Sequence, residues 1–124
     1  MRLMTLRHNQ SAALDASPAF GAECDLLVAG LGTAGTGLAL LAARQGLSVI
    51  AVEKGGAPCG QGGIGGVWDY YFGTPGGAWE ERDRTEDARM AGGYAHRGVA
   101  RTLVSDEALA GSGVEARYET AVLG

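Results

Sequence analysis

Residues 25–53 read DLLVAGLGTAGTGLALLAARQGLSVIAVE, and this stretch decides the fold class. A short apolar run at 25–29 leads into the glycine-rich sequence GLGTAG, and a second apolar run follows at 48–52. Runs of this kind are typical of strands buried on both faces of a parallel sheet. The Ala- and Leu-rich residues 36–45 predict a helix between them, with Gly46 directly after its last turn. The sequence therefore predicts an α/β fold built on a βαβ unit.

The sequence GLGTAG has the form GxGxxG, which is typical of turns that bind the pyrophosphate of a dinucleotide. Gly30 permits the sharp turn out of the strand, Gly32 lets the phosphates approach the backbone, and Gly35 lets the helix pack closely on the strand. The N–H groups of Thr33, Ala34 and Gly35 lie at the positive end of the helix dipole, where they can bind phosphate oxygens. The alternative is an ordinary glycine-rich turn in another kind of α/β domain.

Glu53 follows the second predicted strand, 23 positions after Gly30. Dinucleotide-binding units carry the acid that binds the adenosine ribose at a distance of about 20 residues. The Glu53 carboxylate can accept hydrogen bonds from both ribose hydroxyls, whereas a 2′-phosphate would face like charge. Because FAD and NAD both contain ADP, the βαβ unit alone does not choose between them.

The rest of the chain is divided by its glycine content and its charge. Residues 1–23 are aperiodic and predict a flexible N-terminal extension, which leaves residues 24–124 for the domain. Residues 55–77 hold ten of the 22 glycines and predict no regular element. The charged residues 79–90 predict an exposed helix, and residues 98–110 predict a helix with a partial apolar face. The charged side chains expected to lie in solvent on the first of these helices are Arg82, Asp83, Arg84 and Asp87.

The C-terminal residues predict a domain that is incomplete within this chain. Residues 114–118 alternate in polarity and predict a strand, and residues 120–124 have the composition of the beginning of another. A sheet that ended there would leave an apolar edge with unpaired backbone groups. We therefore expect either a second polypeptide that completes the fold or a truncated product.

Composition and charge exclude several classes of function. The net charge of −4 argues against a nucleic-acid-binding face, which needs basic side chains to neutralise phosphates. Cys24 and Cys59, with His8 and His96 far apart, have neither the number of a disulfide framework nor the spacing of a metal site. The longest apolar stretch, 38–43, is too short to span a membrane. A reducing, cytoplasmic setting is the default expectation.

The segment after Glu53 carries a resemblance to a known family. Residues 53–66 read EKGGAPCGQGGIGG, with a basic residue after the acid and the sequence QGGI at 61–64. This resembles the flavin-facing loop of the glutathione-reductase-like FAD superfamily, and more closely its branch of FAD-dependent oxidoreductases related to fumarate reductase and succinate dehydrogenase flavoproteins. The resemblance implies a Rossmann-like FAD-binding domain with FAD as the cofactor. The further cofactor-binding residues that it implies are Lys54, Gln61, Gly62, Gly63 and, at the adenine, the backbone of Val122.

The resemblance covers residues 25–77 and, less closely, residues 98–124, while residues 79–97 match nothing in it. The chain departs from the superfamily because Cys59 has no second cysteine nearby, which argues against a redox-active disulfide. The loop that contains QGGI has no histidine, which excludes the histidyl link to the flavin that is common in that branch. Cys59 itself is either a catalytic or flavin-linked thiol or a small residue that packs a tight loop. The aromatic residues that either wall the flavin or form a core are Trp68, Tyr70, Tyr71 and Phe72.

The function that the resemblance implies is hydride transfer between a small-molecule organic substrate and FAD. The sequence names no catalytic acid or base, and His96 and Arg97 form either a solvated pair or a contact to an anionic substrate. Two alternatives stay open at this point. One is an NAD(P)-binding dehydrogenase domain, and the other is a non-catalytic nucleotide-binding fragment or subunit.

Overall fold

The computed structural model describes residues 2–4, 20–67, 76–94 and 96–122. Its strands are β1 (Arg2–Met4), β2 (Phe20–Glu23), β3 (Leu26–Ala29), β4 (Val49–Val52) and β5 (Glu115–Arg117). Its helices are α1 (Thr33–Arg44), α2 (Ala78–Ala91) and α3 (Arg97–Ser112), and a short 3₁₀ turn spans Gly60–Gly62. The five strands form two separate sheets.

The larger sheet contains three parallel strands in the order β3-β4-β5. Leu27 pairs with Ile50, and Ala51 pairs with Ala116, so that β4 lies in the middle. Parallel neighbours need a crossover connection, and helices α1 and α3 lie in the two connections of this sheet. The predicted α/β class with a βαβ unit is confirmed.

The main core lies between this sheet and helices α1 and α3. Val28 and Ala51 of the sheet pack in one cluster with Ala39 of α1 and Leu109 of α3. Ala39 has no exposed surface, because its small side chain lets α1 lie close to the strands. On the opposite face, Ile50 packs in a second cluster that includes Cys24 and Val52. The sheet is therefore buried on both faces of its central strand, as the apolar runs predict.

Helix α1 begins earlier than the sequence predicted. Its first residue is Thr33 and not residue 36, since the last part of GLGTAG forms the first helical turn. The predicted end is confirmed, because Gly46 has a φ of +83° and follows the C-cap Gln45. In this conformation the N–H of Leu47 donates to the carbonyl of Ala42 over 3.2 Å, which satisfies a carbonyl at the helix end.

Both ends of the described chain differ from the sequence expectations. Within the extension expected to be flexible, β1 and β2 pair as antiparallel strands. Residues 120–122, expected to begin a strand, form none, and residues 123–124 of that prediction lie outside the described residues. The four aromatic residues of 68–72 also lie outside them. None of the helices that the structure describes is both long and apolar enough to cross a membrane.

Candidate functional site

The glycine turn, residues 30–35, joins β3 to α1 and is held by hydrogen bonds to both sides. Gly30 has a φ of +99°, and its N–H donates to the carbonyl of Val52 over 2.7 Å. Leu31 is fully buried, and its carbonyl accepts a 2.9 Å hydrogen bond from the hydroxyl of Thr36. Gly30 therefore makes the sharp turn that the sequence predicted, at the carboxyl end of two neighbouring strands.

Gly32 and Gly35 have different surroundings in this turn. A Cβ on Gly35 would overlap the carbonyl oxygen of Gly30 and lie 3.3 Å from Cγ1 of Val28, so this position packs helix against strand. Gly32 has φ −65° and ψ −171°, which any residue adopts, and a Cβ there would meet no described atom within 4 Å. Gly32 therefore faces open space beside the turn.

The open space lies at the N-terminus of α1. The first N–H of the helical ladder belongs to Thr36, which donates to the carbonyl of Gly32 over 2.9 Å. The N–H groups of Thr33, Ala34 and Gly35 come before it, and groups at these positions have no acceptor within a helix. They also lie at the end of the helix that carries about half a positive charge. The arrangement suits an anionic ligand.

Glu53 lies directly after β4 and faces the glycine turn. Its Oε2 accepts a 2.8 Å hydrogen bond from the N–H of Leu31, and its Oε1 accepts one of the same length from the N–H of Gly55. The Glu53 carbonyl also accepts a 2.9 Å hydrogen bond from the N–H of Thr120. Each carboxylate oxygen has a second lone pair, so the group can accept further hydrogen bonds from ligand hydroxyls.

A cavity of about 260 Å³ opens beside Gly30 and Glu53. Its lining residues are Ala29, Gly30, Val52, Glu53, Lys54, Thr120, Ala121 and Val122. Four residues of the predicted site are among them: Gly30, Glu53, Lys54 and Val122. The cavity lies at the carboxyl ends of β3 and β4, which is where open α/β sheets bind ligands.

The loop 59–66 packs beside the same turn, but away from this cavity. The N–H of Cys59 donates to the carbonyl of Leu31 over 2.7 Å, and Gly32 and Cys59 form an isolated parallel bridge. A Cβ on Gly62 would lie 2.6 Å from the hydroxyl of Thr33, and one on Gly63 would overlap the hydroxyl of Thr102. The structure therefore brings Gly62 to the first turn of α1 and Gly63 to α3. It leaves Gln61 exposed.

The thiol of Cys59 is fully buried and donates to the hydroxyl of Ser105 over 3.0 Å. Its φ of +72° places it in the left-handed region, as the N-cap of the 3₁₀ turn. A side chain turned into α3 favours the interpretation of Cys59 as a packing residue over that of a reactive thiol. Ser105 was not singled out in the sequence, because the contact joins residues 46 positions apart.

The prediction that the helix at residues 79–90 is exposed is wrong. Glu86 is fully buried, and Arg82 is buried with its guanidinium 4.0 Å from the ring centre of Trp79. Asp83 is half-buried beside Arg82, with an oxygen 2.6 Å from its Nη2. Only Arg84 and Asp87 of the predicted solvent-facing set are exposed. The charged composition did not predict this burial, because the burial of these side chains depends on partners in α3 and α1.

Glu86, Arg97 and Arg101 form a charged layer between α2 and α3 that sequence reasoning missed. Nε of Arg101 donates to Oε2 of Glu86 over 2.6 Å, and its Nη2 donates to Oε1 over 3.2 Å. Nη1 of Arg97 donates to the same Oε1 over 2.7 Å and to exposed Asp87 over 2.8 Å. These bonds, to Asp87 first and then to Glu86, raise the pKa of Arg97. The spacing of the two arginines by four residues was the available signal, since it places them on one helix face.

Tyr118 lies beside the site at the end of β5. Its hydroxyl donates to Oδ1 of Asp106 over 2.5 Å. Burial first, and then this carboxylate, raise the pKa of Tyr118 well above its ordinary value, with smaller contributions from Cys59 and Glu53. Tyr118 is therefore a neutral hydrogen-bond donor at any physiological pH.

His96 and Arg97 separate in the structure. His96 is exposed as the N-cap of α3, whereas Arg97 turns into the charged layer. In the part of the chain that the structure describes, no three His, Cys, Asp or Glu side chains converge on a metal-binding position. Comparisons of the chain with protein-family models, with curated proteins and with solved structures found no significant match.

Proposed function

We propose that this chain binds the ADP half of FAD and forms the cofactor-binding part of a flavin-dependent oxidoreductase. The observation that carries the proposal is the cavity lined by Gly30, Glu53 and Val122, next to the open N-terminus of α1. A carboxylate with free lone pairs and a row of helix N–H groups are the two features that a ribose and a pyrophosphate require. The hydrogen-bonding groups of this chain therefore fit the ADP half of FAD.

Each part of the ligand has a matching group in this chain. The N–H groups of Thr33, Ala34 and Gly35 bind the pyrophosphate, and the open space at Gly32 admits it. Glu53 accepts hydrogen bonds from the adenosine ribose. The adenine enters the cavity against Val122, and Lys54 lines the same cavity with a charge that complements the phosphates.

The choice of FAD over NAD rests on the resemblance of QGGI at 61–64 to flavin-facing loops, with Gln61, Gly62 and Gly63 beside the far end of the dinucleotide. Bound FAD supplies hydride chemistry with a small-molecule organic substrate. No residue of this chain is assigned as acid or base. We propose that a second polypeptide completes the enzyme and contributes those groups.

The proposal is tested by calorimetric titration of the purified chain with FAD, NAD, ADP and FMN. FAD and ADP bind, whereas FMN, which lacks the ADP half, binds at least tenfold more weakly, a difference of about 1.4 kcal/mol. Gly32→Val removes binding of FAD and ADP and leaves the circular dichroism spectrum unchanged, because the new side chain enters space that the fold does not use. Gly111→Val is the control, since Gly111 also faces open space but lies on an exposed part of α3.

Three results would overturn the proposal. Equal binding of FMN and FAD would mean that the ADP half contributes nothing to binding and that the glycine turn is not part of the flavin site. Binding of NAD but not FAD would identify a dehydrogenase domain. Binding of none of these nucleotides would leave the turn with a structural role alone.

A further inference from the structure

The charged layer contains a buried carboxylate that the proposed function does not use. The Glu86 side chain has no exposed surface, that of Arg101 is 7% exposed and that of Arg97 is 38% exposed. Burial of charges is costly unless each charge is paired and its hydrogen-bonding groups are satisfied. Two apolar residues could join α2 to α3 without this cost, so the layer calls for an explanation beyond packing.

Arg101 reaches beyond its carboxylate partner. While Nε and Nη2 bond to Glu86, Nη1 donates to the carbonyl of Gly62 over 3.1 Å. Guanidinium donors are fixed in one plane, so the bonds to Glu86 set the direction in which Nη1 points. A lysine at this position has one compact ammonium group and cannot keep both contacts in this geometry.

Gly62 is held between this guanidinium and α1. A Cβ on Gly62 would lie 2.6 Å from the Thr33 hydroxyl and 3.9 Å from Nη1 of Arg101. The Thr33 hydroxyl itself donates to the carbonyl of Cys59 over 3.4 Å. The loop 59–66 is thus fastened to the first turn of α1 on one side and to α3 on the other.

The position of this loop relative to the cavity decides which part of a ligand it can meet. Gly30, at the start of the glycine turn, lines the cavity with Glu53, whereas Gly32 and Thr33 meet Cys59 and Gly62 on the loop. A dinucleotide with its ribose at Glu53 and its pyrophosphate along the turn therefore extends towards the loop. ADP ends before it.

We infer that Arg101, oriented by Glu86, is a positioning residue that holds the loop 59–66 for the half of a dinucleotide beyond ADP. The inference rests on the proposed function and assigns the preference for a complete dinucleotide over ADP to this layer. Arg101 acts through the carbonyl of Gly62 and touches no ligand itself.

The test compares FAD with ADP as ligands of Arg101→Lys, which keeps a positive charge beside Glu86. The ratio of the ADP dissociation constant to that of FAD falls at least fivefold, while the ADP constant changes less than twofold. Arg97→Lys is the matched control. Arg97 also donates to the Glu86 carboxylate, and it lies in α3 as Arg101 does. It leaves the ratio unchanged. The double variant Glu86→Gln/Arg101→Met repeats the test without an unpaired buried charge.

Amide hydrogen exchange of the ligand-free chain provides a readout independent of nucleotide. The N–H groups of Gly62, Gly63 and Gly65 make hydrogen bonds within the loop. In Arg101→Lys they exchange at least fivefold faster, whereas amides of β3 and β4 keep their rates. Unchanged loop exchange, equal acceleration in loop and strands, or equal loss of FAD and ADP binding would overturn the inference. Failure of the proposed function is distinct, since the wild-type chain itself then binds neither FAD nor ADP, binds NAD but not FAD, or binds FMN as tightly as FAD.

Discussion

The glycine turn and the charged layer lie on either side of the loop 59–66, yet they are determined in different ways. The turn depends on neighbours along the chain: Gly30 takes a positive φ, and Gly35 fits against the residue where the turn begins. The layer depends on residues 15 positions apart, Glu86 and Arg101, in two different helices. A short stretch of sequence can predict backbone geometry. The burial of a charge depends on a partner elsewhere in the chain, which such a stretch does not identify.

The largest expected effect comes from adding one methyl group within the turn. Gly35→Ala places a Cβ on the carbonyl oxygen of Gly30, and backbone cannot move aside cheaply, so we expect a loss of at least about 5 kcal/mol and no folded protein in urea titrations at 25 °C. Gly32→Ala adds the same methyl group to open space and changes stability by less than about 0.5 kcal/mol. Similar losses in both variants would mean that the turn has no ligand-facing side.

The next largest effect contrasts two glutamates of α2. Glu86→Ala leaves the buried guanidinium of Arg101 without its carboxylate, and we expect a loss of about 3 kcal/mol in the free energy of unfolding. Glu80→Ala removes an exposed pair with Arg84, which is worth less than about 0.5 kcal/mol. Urea unfolding in low and high salt checks both, since salt screens only the exposed pair. A small loss for Glu86→Ala would restore the prediction of an exposed helix.

The part of the fold that depends on apolar runs and glycine positions could be predicted from the sequence. Both strands of the βαβ unit, the end of α1 before Gly46 and the place of Glu53 at the strand end needed only counting along the chain. The pairing of Cys59 with Ser105 could not be predicted, because it depends on how α3 crosses the loop. Likewise, the hydrogen bond from the N–H of Thr120 to the carbonyl of Glu53 could not be predicted, because it joins residues far apart in the sequence.

A third prediction compares two carboxylates with different roles, Glu53 at the cavity and Glu86 in the layer. If Glu53 binds a ribose, the wild-type chain binds ADP more tightly than ADP with a 2′-phosphate. Glu53→Gln reduces the ratio of these two dissociation constants about tenfold, a change of about 1.4 kcal/mol. The reason is removal of like charge, with the amide oxygen still able to accept a hydrogen bond. Glu86→Gln is the control, since it lowers stability and leaves the preference unchanged. Titration with both nucleotides measures this ratio. An unchanged ratio in Glu53→Gln would mean that the ribose binds elsewhere.

The smallest effect concerns Tyr118, which follows β5 and packs against the main core. Burial and the Asp106 carboxylate raise its pKa in the folded chain above the value of about 10 found in unfolded peptides. The neutral phenol is therefore favoured by folding. This contribution is complete below pH 10 and is lost as the pH rises above 10, because the unfolded chain then ionises first.

Urea unfolding at pH 8 and pH 11 measures this contribution in the wild-type chain and in Tyr118→Phe. Both lose stability at the higher pH, and the wild-type chain loses more, by less than about 1 kcal/mol. Asp106→Asn keeps part of the difference, since burial is the larger cause and the amide oxygen still accepts the hydrogen bond. An equal loss in the wild-type chain and Tyr118→Phe would show that the Tyr118 hydroxyl is hydrated rather than bonded to α3. The contact between β5 and that helix would then depend on apolar packing alone.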